Sequence, residues 1–206
     1  MPGSGLPRSG ASATIPAMNS SILSITVPAL SRIEVRAADR AAGIVAFALL
    51  TALGAFVRIP LPFTPVPITL QTFFVLAAGI YLGSRDAALA QTGYLALGVV
   101  GLPVFAGGGA GMGHFLGPTG GYLIAFPLAA AFVGAALRPA ASAARATAVC
   151  ASATLLILAL GAAGVAAFLN VGAEHAIALG VLPFLPGGAI KVAAAVGLVV
   201  RAPLAR

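Results

Sequence analysis

Polar positions along this chain are so sparse that they punctuate it instead of patterning it. Runs without a charged side chain cover 41–57, 59–84, 87–137 and 146–173, which are 17, 26, 51 and 28 residues long. A helix needs roughly 20 apolar residues to cross the hydrocarbon core of a bilayer. The 51-residue run must therefore hold two crossings and a connection. The pattern predicts spans at 37–57, 68–83, 86–101, 118–137, 143–168 and 187–202, with a shorter amphipathic or apolar piece at 173–182. Several are short for a crossing, a deficit that tilt or pairing with neighbouring helices absorbs. The expected architecture is an all-α membrane protein, a six-transmembrane-helix bundle over 37–206.

The segment 1–36 is set apart as a disordered cytoplasmic tail or a start-site artefact, with no function assigned. Gly, Ser and Pro dominate its first 30 residues, and the weakly apolar patch Ile22–Leu30 is broken by Ser24, Thr26 and Pro28. It lacks the charged start and long apolar core of a signal peptide.

Composition confirms the membrane reading and excludes others. The chain is 60% hydrophobic, has a mean hydropathy of +1.09 and is only 7% charged, against about 25% for soluble domains. A net charge of +7 raises the question of nucleic acid. No nucleic-acid partner is expected, because the arginines do not cluster with aromatics and there is no Trp. They mark topology instead. A cytoplasmic N-terminus puts Arg32, Arg36, Arg40, Arg85, Arg138, Arg145, Arg201 and Arg206 inside, leaving only Arg58 outside with Glu174 and His175. That asymmetry follows the positive-inside bias, and both termini are expected in the cytoplasm. Localisation is the plasma (inner) membrane, multi-pass. The single Cys150 falls within a span, so no intramolecular disulfide exists, and a buried structural thiol is expected.

One charge breaks this pattern. Lys191, the only lysine, follows the helix-start signal Pro186-Gly187-Gly188, and nine uncharged residues separate it from Arg201. A cation at mid-span costs on the order of 3 kcal/mol and marks a substrate or ion site by default. Placed within about a turn of its helix N-terminus, it adds to the positive end of the helix dipole and favours an anion.

Two loops on the outer face accompany it. The first carries Pro60, Pro62, Pro65 and Pro67 within ten residues, a spacing that stiffens the chain into an extended form. The second, 101–121, holds Gly107-Gly108-Gly109, Gly111, Gly113, Gly117 and Gly120-Gly121. Glycine at that density allows close backbone approach to a ligand and leaves amides free. Both loops carry apolar residues (Phe63, Val66, Phe105, Phe115), and they read as covers over a cavity.

Other chemistries fail on inspection. No GxGxxG lies between Gly107 and Gly121, and Gly187-Gly188-Ala189-Ile190-Lys191 lacks the Ser or Thr of a P-loop. The chain cannot drive itself with ATP. His114 and His175 stand apart, no Cys/His cluster exists, and Asp86 pairs most simply with Arg85. Glu174 and His175 read as solvated charges at a loop boundary, and His114 as a surface imidazole or a ligand contact. No catalytic residue, metal or cofactor is expected. Along the first span Ala38, Ala42 and Ala46 recur every fourth residue, with Gly54 placed further along the same stripe. Small residues at that spacing admit another helix closely, from within the bundle or from a partner.

The stretch Thr64-Pro-Val-Pro-Ile-Thr-Leu-Gln-Thr-Phe73 resembles the signature of the BioY family, the biotin-specific substrate-binding (S) components of energy-coupling-factor (ECF) transporters. Gly101-Leu-Pro-Val-Phe-Ala-Gly-Gly108, Gly117-Pro-Thr-Gly-Gly-Tyr122 and Pro183-Phe-Leu-Pro-Gly187 leading to Lys191 agree in order and spacing, over about residues 38–202. The resemblance implies a six-helix S-component fold and a vitamin bound near the outer surface under the loops after the first and third helices. It also implies that Ala38, Ala42 and Ala46 meet a transmembrane coupling subunit, completed by two cytoplasmic ATPases. Some family members take up biotin without those partners. The family pattern before the lysine usually reads Pro-Gly-Asp; here the acid's place is taken by Gly188, which leaves Lys191 without that neighbour.

For biotin, the expected apolar walls are Phe63, Phe73, Phe105 and Tyr122. Thr69, Gln71 and Tyr94, with free amides of Gly107 and Gly108, are assigned to the ureido head, and Lys191 to the carboxylate on charge grounds. The alternatives carried are an S component for another small vitamin or anion, a membrane-embedded enzyme, and a non-transport membrane scaffold.

Overall fold

The computed structural model describes residues 37–137 and 141–201, with only the backbone of Ala37 and Arg201. The tail at 1–36 and Arg32, Arg36, Arg138 and Arg206 lie outside the described residues. The helices are α1 (Ala37–Phe56), α2 (Gln71–Leu82), α3 (Ser84–Val99), α4 (Gly120–Ala136), α5 (Ala143–Leu169), α6 (Ala173–Gly180) and α7 (Leu185–Arg201). Six are long and α6 is a short piece, as the hydrophobic runs predict. Among the described residues, single 3-10 turns also lie at Met112–His114 and Leu182–Phe184.

Local chemistry sets the ends. Ser142 caps α5, its Oγ accepting from the Arg145 amide at 3.3 Å, and Asn170 ends that helix in the left-handed region at φ 52°. Gly83, at φ 80°, turns the chain between α2 and α3 in a single residue. The second span begins later than expected. Ile68–Thr69 form a short strand, β2, antiparallel to β1 (Arg58–Ile59), with Arg58 opposite Thr69 and Ile59 opposite Ile68. Prolines in the loop hold the backbone extended, and the extended form pairs at its base.

The last helix, conversely, starts earlier. Pro186 lies in the first turn of α7, where its missing N–H leaves no bond unmade. Lys191 is consequently six residues in, roughly 9 Å along the axis at 1.5 Å per residue. The dipole of α7 acts on it less than expected, because that effect fades within the first turn.

α4 occupies the middle, against α2, α3 and α5; α1 closes one flank on α2 and α3, while α7 packs on α2 and α5. The core is lined with alanine and a few large side chains, among them Leu76, Ile80, Tyr94, Phe105 and Ile157. Outward faces are oily: Val45, Leu49 and Leu53 on α1, Leu155 on α5 and Ile190 on α7 are all exposed. Gln71, Gln91 and Thr51 are buried. This inside-out distribution suits a lipid solvent. α1, α5 and the stretch Ala173–Val200 are long and apolar enough to cross a membrane, and α2 and α4 are shorter apolar helices.

Two expectations about the first helix change. Asp86 pairs not with Arg85 but with Arg40, whose Nε and Nη2 donate to its two carboxylate oxygens at 3.0 and 2.7 Å. Adjacent residues on a helix point about 100° apart, whereas Arg40 faces Asp86 across the α1–α3 contact. Gly54 is not on the stripe of Ala38, Ala42 and Ala46. Those three alanines are exposed, while Gly54 is buried against Gln71 and Phe74. A four-residue repeat drifts around the helix, and 16 residues carry it about 160°.

Close helix approach depends on particular glycines. A Cβ on Gly79 in α2 would lie 2.6 Å from both the Ala130 carbonyl oxygen and Val133 Cβ of α4, whereas one on Gly93 in α3 would meet nothing within 4 Å. Gly79→Ala should destabilise the bundle by about 1–3 kcal/mol through overpacking. Gly93→Ala should leave it unchanged or up to about 1 kcal/mol more stable. Thermal unfolding of the two variants in detergent checks the contrast.

Candidate ligand site

The cavity is built where α2 begins. Leu70 donates its amide to the Gly54 and Val57 carbonyls, both at 3.1 Å, which seats the first turn of α2 on the end of α1. Thr69, Gln71 and Thr72 are thereby turned into the space between α4, α5 and α7. The cavity volume there is about 60 Å³, below the roughly 300–1,000 Å³ typical of small-molecule sites. Val66 and Pro67 of the first loop and Phe105, Ala106 and His114 of the second close it outwardly. Ile157 and Leu158 of α5, Phe126 of α4, Phe184, Gly188 and Lys191 form its other walls.

Lys191 enters from α7 and donates to Thr72 Oγ1 at 2.9 Å. An ammonium has three donors, so two remain for a ligand. No Asp or Glu lines the cavity among the described residues. The charge is half-buried with a hydroxyl as its partner, and an anion is the complement such a site favours. Gly188 lies beside it, where a Cβ would come 3.3 Å from Thr154 Cγ2.

A second polar set runs from the cavity wall into the core. Thr69 donates its hydroxyl to Gln71 Oε1 at 3.1 Å, Gln71 Nε2 donates to the Tyr94 hydroxyl, and Tyr94 donates to the Val104 carbonyl at 3.2 Å. One amide proton of Gln71 and the lone pairs of Thr69 remain for a neutral polar group. Thr154 donates to the Cys150 carbonyl at 2.9 Å, so at the cavity it presents acceptor oxygen. Cys150 itself is fully buried.

The glycine loop is held by aromatic packing. Phe105 is buried and lies on Gly98 of α3, where a Cβ would strike its ring. Around it are Tyr94 and Phe115 edge-on at 5.7 and 5.9 Å, and His114 stacked at 5.2 Å. Gly107 and Gly108, at φ 81° and 76°, turn the chain so that Phe105 can bridge back to Gly109.

Of the residues expected at the site, Thr69, Gln71, Phe105, Tyr122 and Lys191 line the cavity. Tyr94 stands behind Gln71. Phe63 is 59% exposed on the outer loop. Phe73 packs into the core, edge-on to Phe74 at 5.3 Å. Gly108 is not the free donor expected, because its amide donates to the Phe105 carbonyl at 3.0 Å; Gly107 lies at the loop surface beside Arg58. Tyr122 presents its ring to the cavity, but its hydroxyl donates to the Gly180 carbonyl at 2.6 Å. Thr72, Phe126, Thr154, Ile157 and Phe184 were not anticipated. Thr72 and Phe184 carried a usable signal, since Thr72 directly follows Gln71 in the first turn of α2 and Phe184 lies in the Pro183–Gly187 motif; Phe126, Thr154 and Ile157 come from helices whose facing side no local motif marks.

Comparison with known proteins follows this geometry. The family model described as "BioY family" matches residues 21–205. A probable biotin transporter BioY of Pyrococcus horikoshii is 42% identical over 153 residues, covering 73% of this chain and 87% of the relative. The biotin transporter BioY of Thermotoga maritima is 47% identical over 88 residues, 43% of this chain and 51% of that protein. A crystal structure of the S-component for biotin from an ECF-type ABC transporter superposes with a TM-score of 0.66 at 26% identity, covering 80% of this chain and 90% of the other. The fold is that of an ECF S component, six long helices with a short seventh. With the match running along nearly its whole length, the chain belongs to the BioY family.

Proposed function

We infer that this protein binds biotin in the cavity beneath its two outer loops and mediates biotin uptake as the S component of an ECF transporter. The observation that carries the reading is a mostly apolar cavity in which the ammonium of Lys191 has, among the described residues, only Thr72 as partner. Biotin matches it by chemistry: an apolar ring and chain, a neutral ureido group and an anionic carboxylate. Lys191 is assigned the carboxylate. Thr69 and Gln71 are assigned the ureido group, and Phe105, Tyr122 and Phe126 the apolar body. Membership in the family and the names of its relatives support the same ligand. No step here is catalytic; the protein is a carrier.

Orientation follows from the arginines. Arg40, Arg85 and Arg145 lie at one end and Arg58 at the other, a distribution that supports an orientation with both termini in the cytoplasm. The exposed stripe Ala38, Ala42 and Ala46 offers a partner helix a close approach. A coupling subunit with two ATPases is the partner assigned to it, since the chain has no nucleotide site of its own.

Gly188 is the one feature that favours a different ligand. The acid usual at its place would offset Lys191 across one helical turn; without it the site is more cationic and suits a small anion generally. Competition of labelled biotin by thiamine, riboflavin and desthiobiotin separates the two readings.

Lys191→Ala should weaken biotin binding at least tenfold, about 1.4 kcal/mol or more, in titrations of purified protein. Biotin methyl ester should lose most of the same increment on the unsubstituted protein; wild-type affinity in the variant would reject the assignment. Gly188→Asp should lower the preference for biotin over its methyl ester by about tenfold, because the new carboxylate neutralises the ammonium. An unchanged ratio would mean that Lys191 does not meet the carboxylate. Ala42→Phe should reduce uptake several-fold in cells carrying the coupling subunit and ATPases, while titration in detergent is unaffected. Equal uptake by the variant and the parent would place the partner elsewhere or show that the chain works alone.

A further inference from the structure

Beside the cavity lies a second hollow of about 260 Å³, with Arg58, Pro65, Gly113 and Pro118 among its walls. Pro67, Ala106, His114 and Thr119 also line the cavity, so the two hollows lie on either side of a shared wall. Its cation is Arg58, the single arginine on that face by topology. Three features fix Arg58 there. Its backbone is held in β1 opposite Thr69, itself a cavity-wall residue. Its guanidinium lies against Gly107 of the glycine loop, where a Cβ would collide with Nη1. It makes no salt bridge to a described residue, and no described Asp or Glu lines either hollow. Arg40, in contrast, has its charge matched by Asp86.

We propose that Arg58 is an outer anion station: it draws a carboxylate ligand to the mouth and holds it there before the carboxylate passes inward to Lys191. The proposal rests on the biotin reading above. A guanidinium at a mouth with low-dielectric walls raises the local concentration of an anion and so its rate of arrival. Because it is exposed and presents a planar fork of donors, it binds a carboxylate without trapping it. The ammonium inside has the drier surroundings and governs how long the ligand stays. The two cations divide the work, Arg58 acting on association and Lys191 on dissociation.

Stopped-flow binding to the full chain in detergent tests the division, with biotin and its neutral carboxamide as paired probes. Arg58→Gln should slow association of biotin about tenfold and flatten its dependence on ionic strength. Dissociation of biotin and association of the carboxamide should stay as in the parent. Arg58→Lys should recover most of the rate, and Lys191→Ala should instead speed dissociation. Equal slowing of both probes would make Arg58 a structural support of the glycine loop, overturning the proposal. An unchanged biotin rate, or a change confined to dissociation, would overturn it too. Failure of the parent chain to bind biotin at all would instead reject the proposed function on which this station depends.

Discussion

A cation kept inside an oily bundle has to be answered by something, and among the described residues Lys191 is answered only by a hydroxyl. The contrast with Arg40 is instructive: at the other end of the bundle two N–H groups meet two carboxylate oxygens, and the charge is balanced within the chain. At Lys191 the balance is left to whatever enters the cavity. That asymmetry dictates the surroundings. The other walls must be mainly apolar if the ammonium is to select by charge, and Ile157, Leu158, Phe126 and Phe184 make them so. Water must be limited by covers, and two loops supply them.

The neutral polar groups of the cavity form a separate set, which runs the other way through the molecule. The bonds from Thr69 through Gln71 and Tyr94 end on the Val104 carbonyl, at the root of the glycine loop. The polar wall of the cavity and the base of its cover are therefore parts of one hydrogen-bonded series. Buried amides and hydroxyls are stable only when partnered, so the series holds Gln71 in one orientation before any ligand arrives. The site is preorganised at its polar wall and left incomplete at its charge.

How much of this the sequence carried depends on the range of the interaction. Charge-free runs located the long helices because hydrophobic length is a local property, and the proline and glycine loops were recognisable from residue type alone. The acid–base pair was not: Arg40 and Asp86 are 46 residues apart, and nothing near Asp86 distinguishes Arg40 from its neighbour Arg85. Gly54 went astray for a geometric reason, since a four-residue repeat is not a full number of turns. Gly108 was read as an open amide because glycine frees the backbone; in the structure that freedom makes a turn whose own carbonyl takes the amide. In the site, residues beside a motif were within reach of sequence reasoning. Side chains from mid-helix positions such as Phe126, Thr154 and Ile157 were not, because helix facing is set by packing of the whole bundle.

The two covers are not equivalent. Residues 58–69 are tied to three other parts of the chain: Leu70 bonds to the end of α1, Thr64 Oγ1 donates to the Leu179 carbonyl of α6 at 2.9 Å, and Val66 is buried in the core. Tyr122 from α4 takes the neighbouring Gly180 carbonyl. The exposed carbonyl end of α6 is thus satisfied by the proline loop and by α4 together, which locks that side of the rim. The glycine loop is fastened differently. Phe105 and Gly111 hold its root to α3, but from Gly111 to Gly120 the backbone bonds run from one loop residue to the next: His114 to Gly111, Phe115 to Met112, Gly117 to His114 and Gly120 to Gly117. Side-chain packing ties this segment to the bundle, with His114 stacked on buried Phe105 and Phe115 edge-on to it. His114 and Thr119 lie on that segment and line both hollows, whereas Lys191, Thr72 and the proline rim belong to parts tied directly to the bundle.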